Sequence, residues 1–153
     1  MKKSILILSA IIFAVSLNSQ AHNFSAVNDG DTIYYNITSS TSPRTVAVTY
    51  KGSAYYSVSN EYSGVVSIPD SVLYNGNYYK VTSISHSAFY GCSGLTSVTI
   101  PNSVTSISYR AFTDCTALNS IVLSNSLTTI ELSTFSNCSS LTSIIIPNSV
   151  TSI

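Results

Sequence analysis

Cys92-Ser-Gly-Leu-Thr-Ser-Val-Thr-Ile-Pro-Asn-Ser-Val-Thr-Ser-Ile107 returns at residues 138–153 as Cys-Ser-Ser-Leu-Thr-Ser-Ile-Ile-Ile-Pro-Asn-Ser-Val-Thr-Ser-Ile, identical at 13 of 16 positions. A more divergent copy lies midway. Cys92, Cys115 and Cys138 therefore recur every 23 residues, as do Phe89, Phe112 and Phe135, and Leu95, Leu118 and Leu141. A fixed period of that length means stacked copies of one small unit, each burying its apolar face against its neighbours. Such a stack is a surface for holding things, and the period specifies shape more than ligand.

Within each unit, Leu95-x-x-Val98-x-Ile100 recurs as Leu118-x-x-Ile121-x-Leu123 and Leu141-x-x-Ile144-x-Ile146. Its alternation fits a short strand with one buried face. A second segment, Val104-x-x-Ile107, recurs as Leu127-x-x-Ile130 and Val150-x-x-Ile153. Twenty-three residues leave little room for a helix, so Ala88-Phe89-x-x-Cys92 reads as one helical or 3-10 turn. The phenylalanines should form an aromatic spine. Asn102, Asn125 and Asn148 form a column whose amides suit backbone groups exposed where the strand turns away. The fold expected is mainly β, a parallel β-solenoid with short turns or 3-10 segments.

Working outward, Ile68-Pro69-Asp70-Ser71-Val72 matches Ile100-Pro101-Asn102-Ser103-Val104 at an offset of 32, whereas Val81–Ile84 matches Val104–Ile107 at 23. Val72 and Val81, nine positions apart, both fall on Val104, so an insertion lies between them at 73–80 and carries Asn75-Gly76. That pair tolerates the positive φ angles of a type I′ hairpin turn. Before it, 22–62 is not repetitive but is rich in Tyr, Val, Ile and Thr, notably at 32–37 and 45–50, with a further turn expected at Lys51-Gly52. Ten of the eleven tyrosines lie at or before Tyr90. End repeats need an atypical covering face, so 22–62 and the hairpin read as an N-terminal β cap, and 63–153 as the repeats with an incomplete last rung.

Residues 1–21 read as a signal peptide. Lys2 and Lys3 precede an apolar run from Ile5 to Leu17, and Ser19-Gln20-Ala21 supplies small residues before a cleavage at His22. The run is shorter than the roughly 20 residues a membrane span needs. The expected product is secreted or displayed at the cell surface, with no transmembrane helix after cleavage. Removal of the leader leaves four Lys and Arg against six Asp and Glu, a net charge of −2. Without a basic stripe, nucleic acid is not an expected partner.

Three cysteines in an exported chain ordinarily suggest disulfides. Here all three share one column, so they should form an inward ladder of buried thiols, one per rung. A strained pair between adjacent rungs remains conceivable and would leave one thiol over. No His or second Cys stands at metal-ligand spacing, so no metal or cofactor is expected.

The combination of Leu-x-x-Ile-x-Ile-Pro, Ser-Val-Thr-Ser-Ile and Ala-Phe-x-x-Cys in one 23-residue unit resembles the BspA-like leucine-rich repeats of secreted and surface proteins from host-associated anaerobes. The resemblance covers about 63–153. It is broken at Ser124, in the Pro column, and Thr134, in the Ala column. Val48-Thr-Tyr-Lys-Gly through Glu61-Tyr-Ser-Gly also looks like the lead-in of bacterial members. The resemblance implies a solenoid with a binding or adhesive role towards host matrix proteins or other cells. It carries no universal ligand-contact residues.

A catalytic constellation is not readable. His22 should be a mobile new N-terminus, His86 shares a turn column with Tyr109 and Leu132, and Glu61 and Glu131 have no reason to pair across a cleft. No enzymatic activity is expected. Recognition is placed instead on outward strand positions, Ser97, Ser120 and Ser143 beside Thr99, Val122 and Ile145, an uncharged ridged surface suited to protein or glycan. Tyr55, Tyr56, Tyr78 and Tyr79 are the second candidates, since tyrosine joins a large contact area to a polar tip. Thr32 and Ser71 follow Asp and precede an aliphatic residue, a pattern like the O-glycosylation acceptor used in the source bacteria of some relatives. Leu141, Ile144, Ile146, Val150 and Ile153 would leave an apolar edge suited to end-to-end self-association.

Overall fold

The computed structural model describes residues 22–52 and 61–153. The expected leader at 1–21, and Tyr55 and Tyr56, lie outside the described residues.

The N-terminal strands are β1 (Phe24–Asn28), β2 (Asp31–Ser39) and β3 (Thr45–Thr49). β1 and β2 pair antiparallel around Asp29 and Gly30, both at positive φ, with Asn28 opposite Asp31. This two-residue Asp-Gly hairpin adds β1, an edge strand beyond the β runs expected at 32–37 and 45–50. The hairpin of β5 (Ser71–Tyr74) and β6 (Asn77–Ile84) turns at Asn75-Gly76 with φ of 48° and 73°, as the insertion implies.

Two parallel ladders carry the repeat. The first runs from β6 to β8 (Ser106–Ile107) and β10 (Thr129–Ile130), with Ile84, Ile107 and Ile130 in register. The second runs from β4 (Gly64–Ser67) to β7 (Leu95–Thr99) and β9 (Ser120–Val122), with Val66, Val98 and Ile121 in register. The N-terminal strands join the first ladder directly, because β3 pairs antiparallel with β2 and parallel with β6. Val46 lies beside Val81, and Val48 beside Ile84. The N-terminal strands and the first ladder thus share one sheet, although the chain crosses to the second ladder at β4 in between.

The remaining side of each unit is built from turns. Ser87, Phe89 and Gly91 donate their N–H groups to Tyr109, Ala111 and Thr113 of the next unit, at 3.1, 2.8 and 2.9 Å. The alternate residues Ala88, Tyr90 and Cys92 donate to carbonyls three residues back. The expected helical or 3-10 turn is met as single turns closed three residues back, with no helix formed. Ser87, Arg110 and Ser133 form one column at positive φ; Gly91, Asp114 and Asn137 form another. A left-handed residue at every fourth position stops right-handed propagation, and Asp and Asn tolerate that region where most side chains do not.

The core lies between these three sides. The rings of Phe89, Phe112 and Phe135 stack at centroid separations of 4.8 and 5.6 Å. Tyr62 heads the spine, 4.5 Å from Phe89, and its hydroxyl donates to Thr49 O at 2.6 Å while accepting Tyr34 N–H. Leu95, Leu118, Ile107 and Leu127 are fully buried, each worth about 2 kcal/mol of apolar transfer. The thiols also point inward. Cys115 Sγ contacts Phe89 O at 3.0 Å and Cys138 Sγ contacts Phe112 O at 3.1 Å, which supplies a weak donor to a carbonyl of the preceding unit. All three cysteines are free. At the broken Pro column, Ser124 is buried and donates to Val104 O at 2.6 Å. Asn102 Oδ1 accepts Asn125 N–H at 2.9 Å, so that column bonds between units.

The last unit departs from the expected pattern. Residues 141–146 form no strand and donate no backbone hydrogen bond to β9. Contact is kept at Thr151 N to Thr128 O, and at Ile130 N to Ser152 O, with Thr129 opposite Ser152.

Candidate functional site

Strand alternation assigns the two faces of the β4-β7-β9 sheet. Val66 and Val98 point inward and are buried. The neighbours on either side point out, giving one column of Val65, Ser97 and Ser120 and another of Ser67, Thr99 and Val122. Val65 is 67% and Val122 56% exposed. The face carries no charged side chain and no aromatic ring. At its N-terminal margin, Asn28 Nδ2 donates to Ser67 O at 2.9 Å, fixing the β1–β2 turn against the sheet.

Ser97, Thr99, Ser120 and Val122 thus lie together on one outer surface, and Val65 joins them. Val65 was legible in principle, since Ile68-Pro69 sets the register of the unit that contains it. Ser143 and Ile145 continue the columns in sequence but are not paired to β9, and Ile145 is 88% exposed. Between β9 and this last unit lies an open cleft of about 230 Å³, lined by Ile121, Val122, Leu123, Asn125, Ile145 and Pro147.

The tyrosine candidates divide. Tyr78 is exposed and faces Leu73 across the β5–β6 hairpin. Tyr79 is a correction: it is buried, 6.3 Å from both Phe24 and Tyr74, and Phe24 and Tyr74 themselves stack at 4.1 Å. The alternation that exposes Tyr78 necessarily buries Tyr79, so Tyr79 belongs to the core. Thr32 and Ser71 are both exposed, each at a strand start. His22 is a second correction. It is partly buried, its ring 4.8 Å from that of Tyr34, and Asn23 N–H donates to Tyr35 O, so β-pairing starts at once.

Titratable groups cluster where β3 meets the first repeat. Glu61 Oε2 accepts Lys51 N–H at 2.7 Å, and burial pushes its carboxyl up to about 7. Burial lowers the imidazole of His22. Burial also pushes the Cys92 thiol up to about 11 and raises those of Cys115 and Cys138, which makes the ladder a poor nucleophile. Among the described residues no group of three or more His, Cys, Asp or Glu is placed to hold a metal ion. Among them, too, no helix is long and apolar enough to cross a membrane.

A family model described as BspA type leucine rich repeat region matches residues 77–153. No curated protein matches the chain. Solved structures do. A leucine-rich repeat protein from Bacteroides ovatus is 33% identical with a TM-score of 0.68, over 84% of this chain and 30% of that one. Another from Bacteroides capillosus is 32% identical with a TM-score of 0.63, over 82% of this chain and 84% of that one. A leucine-rich cell surface protein from Faecalibacterium prausnitzii is 30% identical with a TM-score of 0.62, over 84% of this chain and 29% of that one. This chain therefore spans less than a third of two of these relatives and most of the other.

Proposed function

The chain belongs to the BspA-type leucine-rich repeat family, and on that premise we propose that it is an exported binding or adhesion module. In this reading the two ladders are sides of a parallel β-solenoid, and the N-terminal strands with the β5–β6 hairpin are its cap. The ligand is a protein or glycan of a host or neighbouring cell, held on the outer face of β4-β7-β9. One observation carries the proposal. Val65, Ser97, Thr99, Ser120 and Val122 form a continuous face with no charge, in which aliphatic and hydroxyl groups stand side by side. Exposed apolar groups gathered on one sheet face mark contact surfaces more often than solvated ones. Export draws on the leader-like segment at 1–21, and the cell surface setting of the F. prausnitzii relative is in keeping with it.

The test is binding of the purified protein to a panel of matrix proteins, glycans and whole cells. A captured ligand should be lost, by roughly tenfold or more in affinity, when Thr99→Arg or Val122→Arg places a charge on the face. Retention of full affinity by both variants would move the site elsewhere. A second reading, a self-associating surface element, draws on Ile145, an aliphatic side chain 88% exposed beside the open cleft. It calls for oligomers that grow with concentration in light scattering, where the binding module should remain monomeric. Thr32 and Ser71 are proposed acceptors for glycan, which adds mass to protein purified from its native host.

A further inference from the structure

From residue 86 onward the two sheet faces carry no charge, and the charged side chains Arg110, Asp114 and Glu131 all fall on the turn side of the stack. The rings of His86, Tyr90 and Tyr109 fall there too. His86, Tyr109 and Leu132 occupy one column, tied across units by the turn ladder. Ser87 N–H donates to Tyr109 O at 3.1 Å and Arg110 N–H to Leu132 O at 3.3 Å. His86 packs on Tyr109 at a centroid separation of 5.4 Å. The Arg110 guanidinium lies over the Tyr109 ring, 4.9 Å from its centroid. Glu131 Oε2 accepts Tyr109 N–H at 2.9 Å. Leu132 is 75% exposed.

Arg110 is out of keeping with its position. Its column is otherwise serine, and the backbone there is left-handed, with φ of 56° at Arg110. A long side chain in that conformation is uncommon and costs about 1 kcal/mol. The guanidinium gains a ring to lie on but makes no ion pair among the described residues, so its fork of donors stays open.

We propose that this ridge is a second binding surface, for a partner polypeptide that presents a carboxylate to Arg110 and an aliphatic side chain to Leu132. A guanidinium held over a ring keeps its fork of donors available for a two-pronged bond to a carboxylate. Leu132, one unit along, offers the adjoining apolar contact. Glu131 stands beside the site and disfavours a run of acids, so the matching segment carries one carboxylate next to an aliphatic residue. A peptide fits better than a sugar, because Arg110 and His86 both pack against the ring on which a sugar would stack. The surface is separate from the β4-β7-β9 face and stands or falls independently of it.

The probe is a phage-displayed random heptapeptide library, selected on the purified protein, with the best peptide then measured by fluorescence anisotropy. Enriched peptides should pair Asp or Glu with a neighbouring Leu, Ile or Val. Arg110→Gln should weaken the best peptide by roughly tenfold, as expected for loss of a charge-assisted pair. Leu132→Ser should weaken it several-fold, and Val122→Arg on the sheet face should leave it unchanged, with thermal unfolding confirming that each variant folds. Failure to enrich any peptide, enriched peptides without an acid, or equal binding by Arg110→Gln would each overturn the proposal.

Discussion

Residues 92–107 and 138–153 are nearly one peptide in two settings. In the first, Leu95–Thr99 is a strand between β4 and β9, and Leu95, Val98 and Ile107 are fully buried. In the second, Leu141, Ile144 and Val150 are only partly buried, and the strand is missing. The three substitutions between them, Gly94 to Ser140, Val98 to Ile144 and Thr99 to Ile145, do not lower strand propensity, since Ile is a strong β-former. The difference lies in the neighbours. A unit packed on both sides completes its ladder and its core, and one packed on a single side does not. That is nearest-neighbour energetics, in which interfaces between units supply most of the stability. At the other end, β3 pairs with β6 and the Tyr62 ring packs at a tilt against Phe89, so the first unit has a neighbour there.

The largest effect expected of this comparison lies in the aromatic spine. Phe112 is fully buried and Phe135 only partly so. Phe112→Ala should cost about 3–5 kcal/mol in urea unfolding, against about 1–2 kcal/mol for Phe135→Ala. Equal costs would mean that the last unit is as well packed as the middle one.

Thiol labelling sharpens the same contrast at smaller scale. Cys115 is fully buried, whereas Cys138 is 9% exposed. With burial holding the thiols protonated, all three should resist maleimide in the native protein and react at once in denaturant. Cys138 should react first, about tenfold faster than Cys115, followed by mass spectrometry of the labelled peptides.

The smallest effect concerns the N-terminal neighbour. Glu61 titrates near 7 when folded but near its ordinary 4.5 when unfolded, so the folded state holds its proton more tightly. Its contribution to stability is complete below pH 4.5 and is lost as pH rises through about 7. Discounted for solvent screening, this amounts to about 1 kcal/mol. Lowered titration of His22 has the opposite slope, its contribution being lost as pH falls below 6.5. Melting temperatures of the protein and of Glu61→Gln, compared between pH 4.5 and 8, isolate the carboxylate. The variant should lose less stability over that range, and parallel curves would remove Glu61 from the account.

The columns were readable in the sequence because a period repeats every contact. Phe, Leu and Cys positions, the two strands of the units before the last and the Asn75-Gly76 hairpin all follow from spacing and turn chemistry. What escaped reading depends on single occurrences or on context. Tyr62 carries the spine's first ring but lies outside the Phe column, because the offset that aligns Ile68 with Ile100 sets it against Gly94. Asp29-Gly30 was a legible turn signal lying in a segment without a period. The left-handed columns hide behind residues as different as Gly91, Asp114 and Asn137, which share a backbone conformation and little else. Of the surface positions, the strand columns followed from alternation. Tyr79 shares a face with the buried Val81, so alternation from the Asn75-Gly76 turn places it inward rather than on the surface. The Arg110 ridge could not be read at all, because Arg110, Tyr109 and Glu131 meet only when successive turns stack.

Amide hydrogen exchange at paired positions tests the role of the neighbours most directly. Ile100 N–H donates to Val122 O at 2.9 Å, whereas its counterpart Ile146 has no backbone partner among the described residues. If neighbours rather than local sequence make the strand, Ile100 should exchange at least about a thousandfold more slowly than Ile146. Equal protection at the two sites would show that the peptide is ordered as well with one neighbouring unit as with two, and would contradict the account.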